Sequence, residues 1–125
     1  PAQSRWACAA MRYEFELARL GINPPDPQSA LELAKLLSLV FNLNPRHGQK
    51  SEFAGEYFEC MKSPFLGRNG HIAMRTPDLD AAVAELREKG FAFKMDTAAY
   101  TEDGKLKNIY LEDEFGGFAI HIMRG

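Results

Sequence analysis

The chain has 125 residues, of which 46% are hydrophobic and 26% charged, the balance of one soluble globular unit rather than of a disordered or membrane-embedded chain. A formal charge of -2, a sequence pI near 5.9 and no basic cluster leave no electrostatic footprint for nucleic acid or an anionic bilayer. Two cysteines, Cys8 and Cys60, stand far apart with no CxxC spacing, which argues against a disulfide framework or thiolate zinc site and for a reducing, cytoplasmic setting.

In chain order, residues 3–14 read as a helix with Trp6, Ala10 and Tyr13 on one face, and "WACAAM" within it is too short for a signal-peptide core. A start at Pro1 rather than methionine fits a processed chain or a piece of a longer one. The strand-like "FELARLGI" then leads to Pro25-Asp26, where proline blocks helix continuation backwards and aspartate caps a new helix. That helix is expected to turn Leu33, Leu36, Leu37 and Val40 to the core. Short strands follow at 43–48, 51–54 and 55–62.

The pattern then repeats. Laying Arg19 over His71, an offset of 52 (71 − 19), puts Pro25-Asp26 on Pro77-Asp78, Leu20 on Ile72, Ile22 on Met74 and Ala30 on Ala82. The second helix carries Leu79, Val83 and Leu86 inward and stops at Gly90. Strands are expected at 91–96, 106–112 and 117–123, with turns at "EDGK" (102–105) and "DEFGG" (113–117). The fold class is therefore α+β: two tandem βαβββ modules, 15–62 and 71–124, behind an N-terminal helix or linker over 1–14, forming a curled mixed sheet around a cleft.

Strand alternation assigns the faces. Phe118, Ile120 and Ile122 form an apolar face for the helical layer, which leaves Ala119, His121 and Met123 on the other; His71, Ala73 and Arg75 fall there too. By the same count Phe58 and Cys60 face the helices, while Tyr57, Glu59 and Met61 face the cleft, as does Arg19. Two imidazoles and a carboxylate, His71, His121 and Glu59, suffice for a divalent metal with open positions and hence for Lewis-acid activation of a carbonyl. The bland alternatives are solvated histidines on a sheet face and an Arg19–Glu59 ion pair that makes a metal unnecessary.

The repeated module, "GHIAMRTPDLDAAVAELREKGF" and "KLKNIYLEDEFGGFAIHI" resemble the vicinal oxygen chelate superfamily of glyoxalases, bleomycin-resistance proteins and extradiol dioxygenases. More narrowly, "FELARLGIN" and "EFAGEYFECMKSPFLGRNGHIAMRT" are similar to a C-terminal extension of some bifunctional 4-hydroxy-2-oxoglutarate / 2-dehydro-3-deoxy-phosphogluconate aldolases, over residues 12–124. The resemblance implies one glyoxalase-like domain over 1–125, with ligands from the first and last strands of each module. Those positions hold Arg19 and Glu59, then His71 and His121; arginine stands where a first histidine is expected.

Either Glu59, His71 and His121 hold a divalent metal (Zn, Ni, Mn or Fe), or Arg19 replaces the metal and receives a carboxylate or phosphate. Glu59 is then the candidate catalytic base, and Arg19, Tyr57, Asn108 and Tyr110 the candidate substrate contacts. The ligand expected is a small metabolite such as a 2-oxo acid, acted on or sensed in association with an aldolase. The chain itself carries no aldolase barrel, so Lys62 and Lys94 are read as solvated strand lysines. The competing reading is a metal-free structural domain of a sugar-acid aldolase that drives homo-oligomerisation, a dimer for instance, through an apolar stripe.

Overall fold

Each helix begins where a proline–aspartate pair leaves a strand. In the computed structural model, which describes residues 14–125, β1 (Glu16–Ile22) leads into α1 (Pro27–Phe41), and Asp26 accepts a hydrogen bond from the Ser29 amide at 2.7 Å with Pro27 in the first turn. The second copy matches it: β5 (Gly70–Thr76) leads into α2 (Leu79–Glu88), and Asp78 accepts from the Ala81 amide at 3.2 Å. Asp26→Ala should therefore lower stability through loss of the cap, read as a lower midpoint in urea with an unchanged slope. The helix expected over 3–14 falls, but for its last residue, outside the described residues.

Strands β2 (Pro45–His47), β3 (Ser51–Ala54) and β4 (Phe58–Met61) complete the first half. Strands β6 (Phe93–Tyr100), β7 (Leu106–Phe115) and β8 (Phe118–Arg124) complete the second. All eight form one mixed sheet in the order β2-β3-β4-β1-β5-β8-β7-β6. Within each half the first strand pairs in parallel with the last, β1 with β4 and β5 with β8, and the halves join through antiparallel β1–β5. Pairing equivalent strands head to tail relates the two βαβββ halves by an approximate twofold, and it puts the first and last strand of each half at the centre of the sheet.

The second half has the larger core. Leu79 and Val83 of α2 pack with Phe93, Leu106, Ile109, Leu111 and Ile122, with Leu86 partly buried beside them, as the sequence pattern requires. Arg124 fastens this half: its Nε donates to the Leu106 carbonyl at 2.7 Å and its guanidinium pairs with Asp80 in the first turn of α2.

Three local expectations are corrected. The buried stripe of α1 is Ala30, Ala34 and Ser38, with Leu33 and Leu37 at its margin, so Leu36 and Val40 are exposed rather than core-facing. The reason is size: Ala30 and Ala34 meet Cys60 on a short strand, and small side chains let the helix approach where a leucine row would hold it off. Residues 113–115 are strand, not turn; the hairpin is the two-residue Gly116-Gly117 connection, with φ of 61° and 81°, which only glycine adopts freely at both places. Strand β6 extends to Tyr100 through register shifts between Lys94 and Ala99. No helix among the described residues is long and apolar enough to cross a membrane.

Candidate functional site

Glu59, Arg19, His71 and His121 sit on β4, β1, β5 and β8, the four central strands. Register arranges them in two rows across the sheet. In one, Glu59 lies opposite Gly21, Gly21 opposite His71, and His71 opposite Ala119. In the next, Arg19 lies opposite Ala73, Ala73 opposite His121, and His121 opposite Tyr110. Glycine and alanine thus alternate with the polar residues, and the space they leave is what lets the polar side chains meet.

Gly21 shows this most directly. A β-carbon built there would fall 2.1 Å from His71 Cε1, so the imidazole lies over the glycine and points across β1 to β4. His71 Nε2 reaches Glu59 Oε1 at 3.4 Å, Ser51 donates from Oγ to Glu59 Oε2 at 2.7 Å, and Arg19 Nη1 stands 3.7 Å from Glu59 Oε1. Burial alone would raise the Glu59 pKa, but hydrogen bonds from His71 and Ser51 and the charge of Arg19 outweigh it and hold the carboxyl below its ordinary value. Glu59 is therefore an ionised carboxylate at neutral pH. The His71 side chain is only 6% exposed, and its Nδ1 has no hydrogen-bond partner among the described residues.

His121 is held differently. Its ring stacks on Tyr110 with centroids 4.6 Å apart and planes 7° from parallel, and its Nε2 donates to Asn108 Oδ1. Burial first, then neighbouring His71 and Arg19, lower its pKa to about 4, so it is neutral near pH 7 and keeps Nδ1 as an acceptor. The Tyr110 phenol is pushed up by burial and by the charge of Glu59, and so remains a hydrogen-bond donor. The His71 and His121 centroids are 6.1 Å apart.

Of the residues singled out in the sequence, Arg19, Glu59, His71, Asn108, Tyr110 and His121 are thus brought together. Tyr57 is not: it precedes β4, is half exposed, and makes no hydrogen bond or ring contact with the cluster. Sequence reasoning missed Ser51, which carried no signal beyond its place on a strand, and Gly21. The signal for Gly21 was available, because the same offset lays it over Ala73 (21 + 52 = 73), the small residue beside the histidine of the second copy.

No protein-family model matches the chain and no curated protein sequence matches it. Solved structures do. A hypothetical protein from Bacillus halodurans C-125 superposes with a TM-score of 0.60 at 17% identity, covering 90% of this chain and 95% of that one. A Streptomyces coelicolor methylmalonyl-CoA epimerase variant in complex with 2-nitronate-propionyl-CoA gives 0.53 at 16%, over 88% and 94%. Methylmalonyl-CoA epimerase in complex with methylmalonyl-CoA and NH4+ gives 0.51 at 17%, over 88% and 96%. The fold is glyoxalase-like. At these identities the likeness extends to the fold alone, two βαβββ halves sharing one mixed sheet.

The donor set on this glyoxalase-like sheet does not fit the metal shell expected of Glu59, His71 and His121. Among the described residues no group of three His, Cys, Asp or Glu side chains is placed to hold a metal ion. His71 and Glu59 face each other, but His121 Nε2 is turned to Asn108, and the fourth corner is the guanidinium of Arg19, which repels a cation and cannot ligate one. What the cluster can offer is a partly exposed cation, an ionised carboxylate, a neutral imidazole and a protonated phenol on one sheet face.

Proposed function

We propose that the chain binds a small carboxylate metabolite of the 2-oxo acid class on the centre of its sheet, without a metal. The observation that carries this reading is Arg19. Its side chain is 39% exposed and its pairing with Glu59 is long, so its planar donors remain open to the carboxylate of a ligand. Glu59, kept ionised by His71 and Ser51, is the group that would accept a proton from the carbon beside the ligand's carbonyl. His71 orients Glu59, and the Tyr110 phenol would donate to the carbonyl oxygen.

Binding is measured by calorimetry with pyruvate and 2-oxoglutarate. Arg19→Ala should weaken it at least about tenfold, and Arg19→Lys should recover little of that, because an ammonium lacks the bidentate fork. EDTA should leave binding unchanged, and elemental analysis should find zinc, nickel, manganese and iron far below one per chain. One metal per chain, lost in a His71→Ala/His121→Ala double variant, would overturn the metal-free reading and restore the chelate. Deuterium uptake at C3 of the ligand in D2O, abolished in Glu59→Gln, separates proton transfer from sensing.

A second reading has its own observation. The outer face of α1 leaves Leu36, Leu39, Val40 and Phe41 exposed, Leu39 at 82%, an apolar patch suited to packing on another chain. This supports the structural alternative, attachment to a sugar-acid aldolase or self-association. Indifference of the protein to every 2-oxo acid, combined with a mass that rises with concentration and falls in Leu39→Glu, would favour it.

A further inference from the structure

The segment "KSPF", residues 62–65, belongs to the stretch between β4 and β5, and the proposed chemistry at the central strands assigns it no part. With Gln49, Lys50 and Met61 it lines a half-open pocket of about 510 Å³, the size of a small-ligand site. Two contacts join this cavity to the polar cluster. Met61 stands two residues from Glu59 on the same strand face, and Ser51 Oγ, which bonds Glu59, also lies 3.3 Å from Met61 Sδ. Phe65 meets Tyr110 edge to face at 5.9 Å, and Tyr110 is the ring stacked on His121. The walls are mixed in a telling way: Met61, Pro64 and Phe65 are apolar, and Phe65 is 61% exposed beside the opening. Lys62 spends its charge on Glu52 at 3.2 Å and contributes its stem, whereas Lys50 has no acidic partner among the described residues.

We infer that this cavity is a second subsite, which takes an apolar acyl or aryl segment bearing an anionic group, carboxylate or phosphate, with Phe65 and Met61 against the segment and Lys50 on the charge. The inference deepens the 2-oxo acid reading: the preferred ligand is then an elongated one, whose reacting end meets Arg19 and Glu59 and whose remainder lies along Phe65. An apolar wall next to a polar cluster has that consequence because the two ends of a ligand gain from different physics, ion pairing at one and removal of hydrocarbon from water at the other.

Two probes test it, followed by backbone amide shifts of the wild-type protein. The first comparison is 2-oxooctanoate against pyruvate: the longer acid should bind at least about tenfold more tightly, and Phe65→Ala should erase that gain while leaving pyruvate affinity unchanged. The second probe is hexyl phosphate, which has no 2-oxo head. It should shift the amides of residues 49–51 and 61–65, and Lys50→Glu should weaken it several-fold while Lys62→Gln has a smaller effect. Pyruvate binding without any gain from chain length, together with no response to hexyl phosphate, sinks the subsite and leaves the central site standing. Hexyl phosphate binding at these residues with no 2-oxo acid bound sustains the subsite and refutes the 2-oxo acid reading.

Discussion

Gly21→Ala is expected to destabilise the protein by about 1 to 3 kcal/mol, the range for forcing extra volume into a packed site, and to abolish measurable 2-oxo acid binding. Gly21 is not among the residues of positive φ, so alanine meets no backbone penalty and the cost is steric. The added carbon would lie 2.1 Å from Cε1, 2.4 Å from Nδ1 and 2.5 Å from Nε2 of His71, inside contact distance of the whole leading edge of the ring. The ring cannot yield easily, since it is buried between Glu59, Tyr110 and His121. Displacing it also removes the Glu59 partner that keeps the carboxylate in place. A double-mutant cycle checks the cause: in a His71→Ala background the same Gly21→Ala change should cost close to nothing. Equal costs in both backgrounds, measured by urea unfolding, would show that the glycine matters for some reason other than the imidazole above it.

Acid should weaken the fold in two successive windows. His121 has a folded pKa of about 4 against an ordinary 6.5, so between those values the unfolded chain binds a proton that the folded chain does not. Its contribution is fully present above pH 6.5 and is lost progressively as pH falls toward 4, reaching about 3 kcal/mol at most. Glu59 acts below that window. Its folded pKa is depressed, so its contribution is present above its ordinary value of 4.5 and disappears as pH falls through the lower folded value. The unfolding free energy measured in urea from pH 7.5 to 4 should therefore decline from pH 6.5 downward. His121→Gln, which keeps a donor for Asn108 but does not titrate, should flatten the upper part of that decline. A flat wild-type profile down to pH 4.5 would show that His121 is not held neutral by its surroundings.

The repeat was legible because both copies use the same local physics. Pro25-Asp26 and Pro77-Asp78 act within a few residues of themselves, stopping a strand and capping a helix, and such effects are written in consecutive positions. Strand alternation placed Glu59, His71 and His121 on one face for the same reason. The α1 stripe was not legible in that way. Periodicity offers both the leucine row and the alanine row, and the close approach of Cys60 on β4 selects the alanines. The hairpin at Gly116-Gly117 was hidden by Asp113 and Glu114, acidic residues that read as turn but lie on an exposed stretch of β7.

At the site, strand alternation alone named the residues that could act: one guanidinium, one carboxylate and two imidazoles, each at the first or last strand of a module. The resemblance to glyoxalases added only the expectation of a histidine where Arg19 stands. Which of them meet is set by strand pairing. The pairing of β1 with β5 sets His71 over Gly21 and against Glu59, while β7 against β8 turns His121 toward Asn108 and Tyr110. His71 and Gly21 are 50 residues apart (71 − 21) and the other pairs 11 to 13, and in every case the meeting depends on strand order and register, which no local pattern encodes.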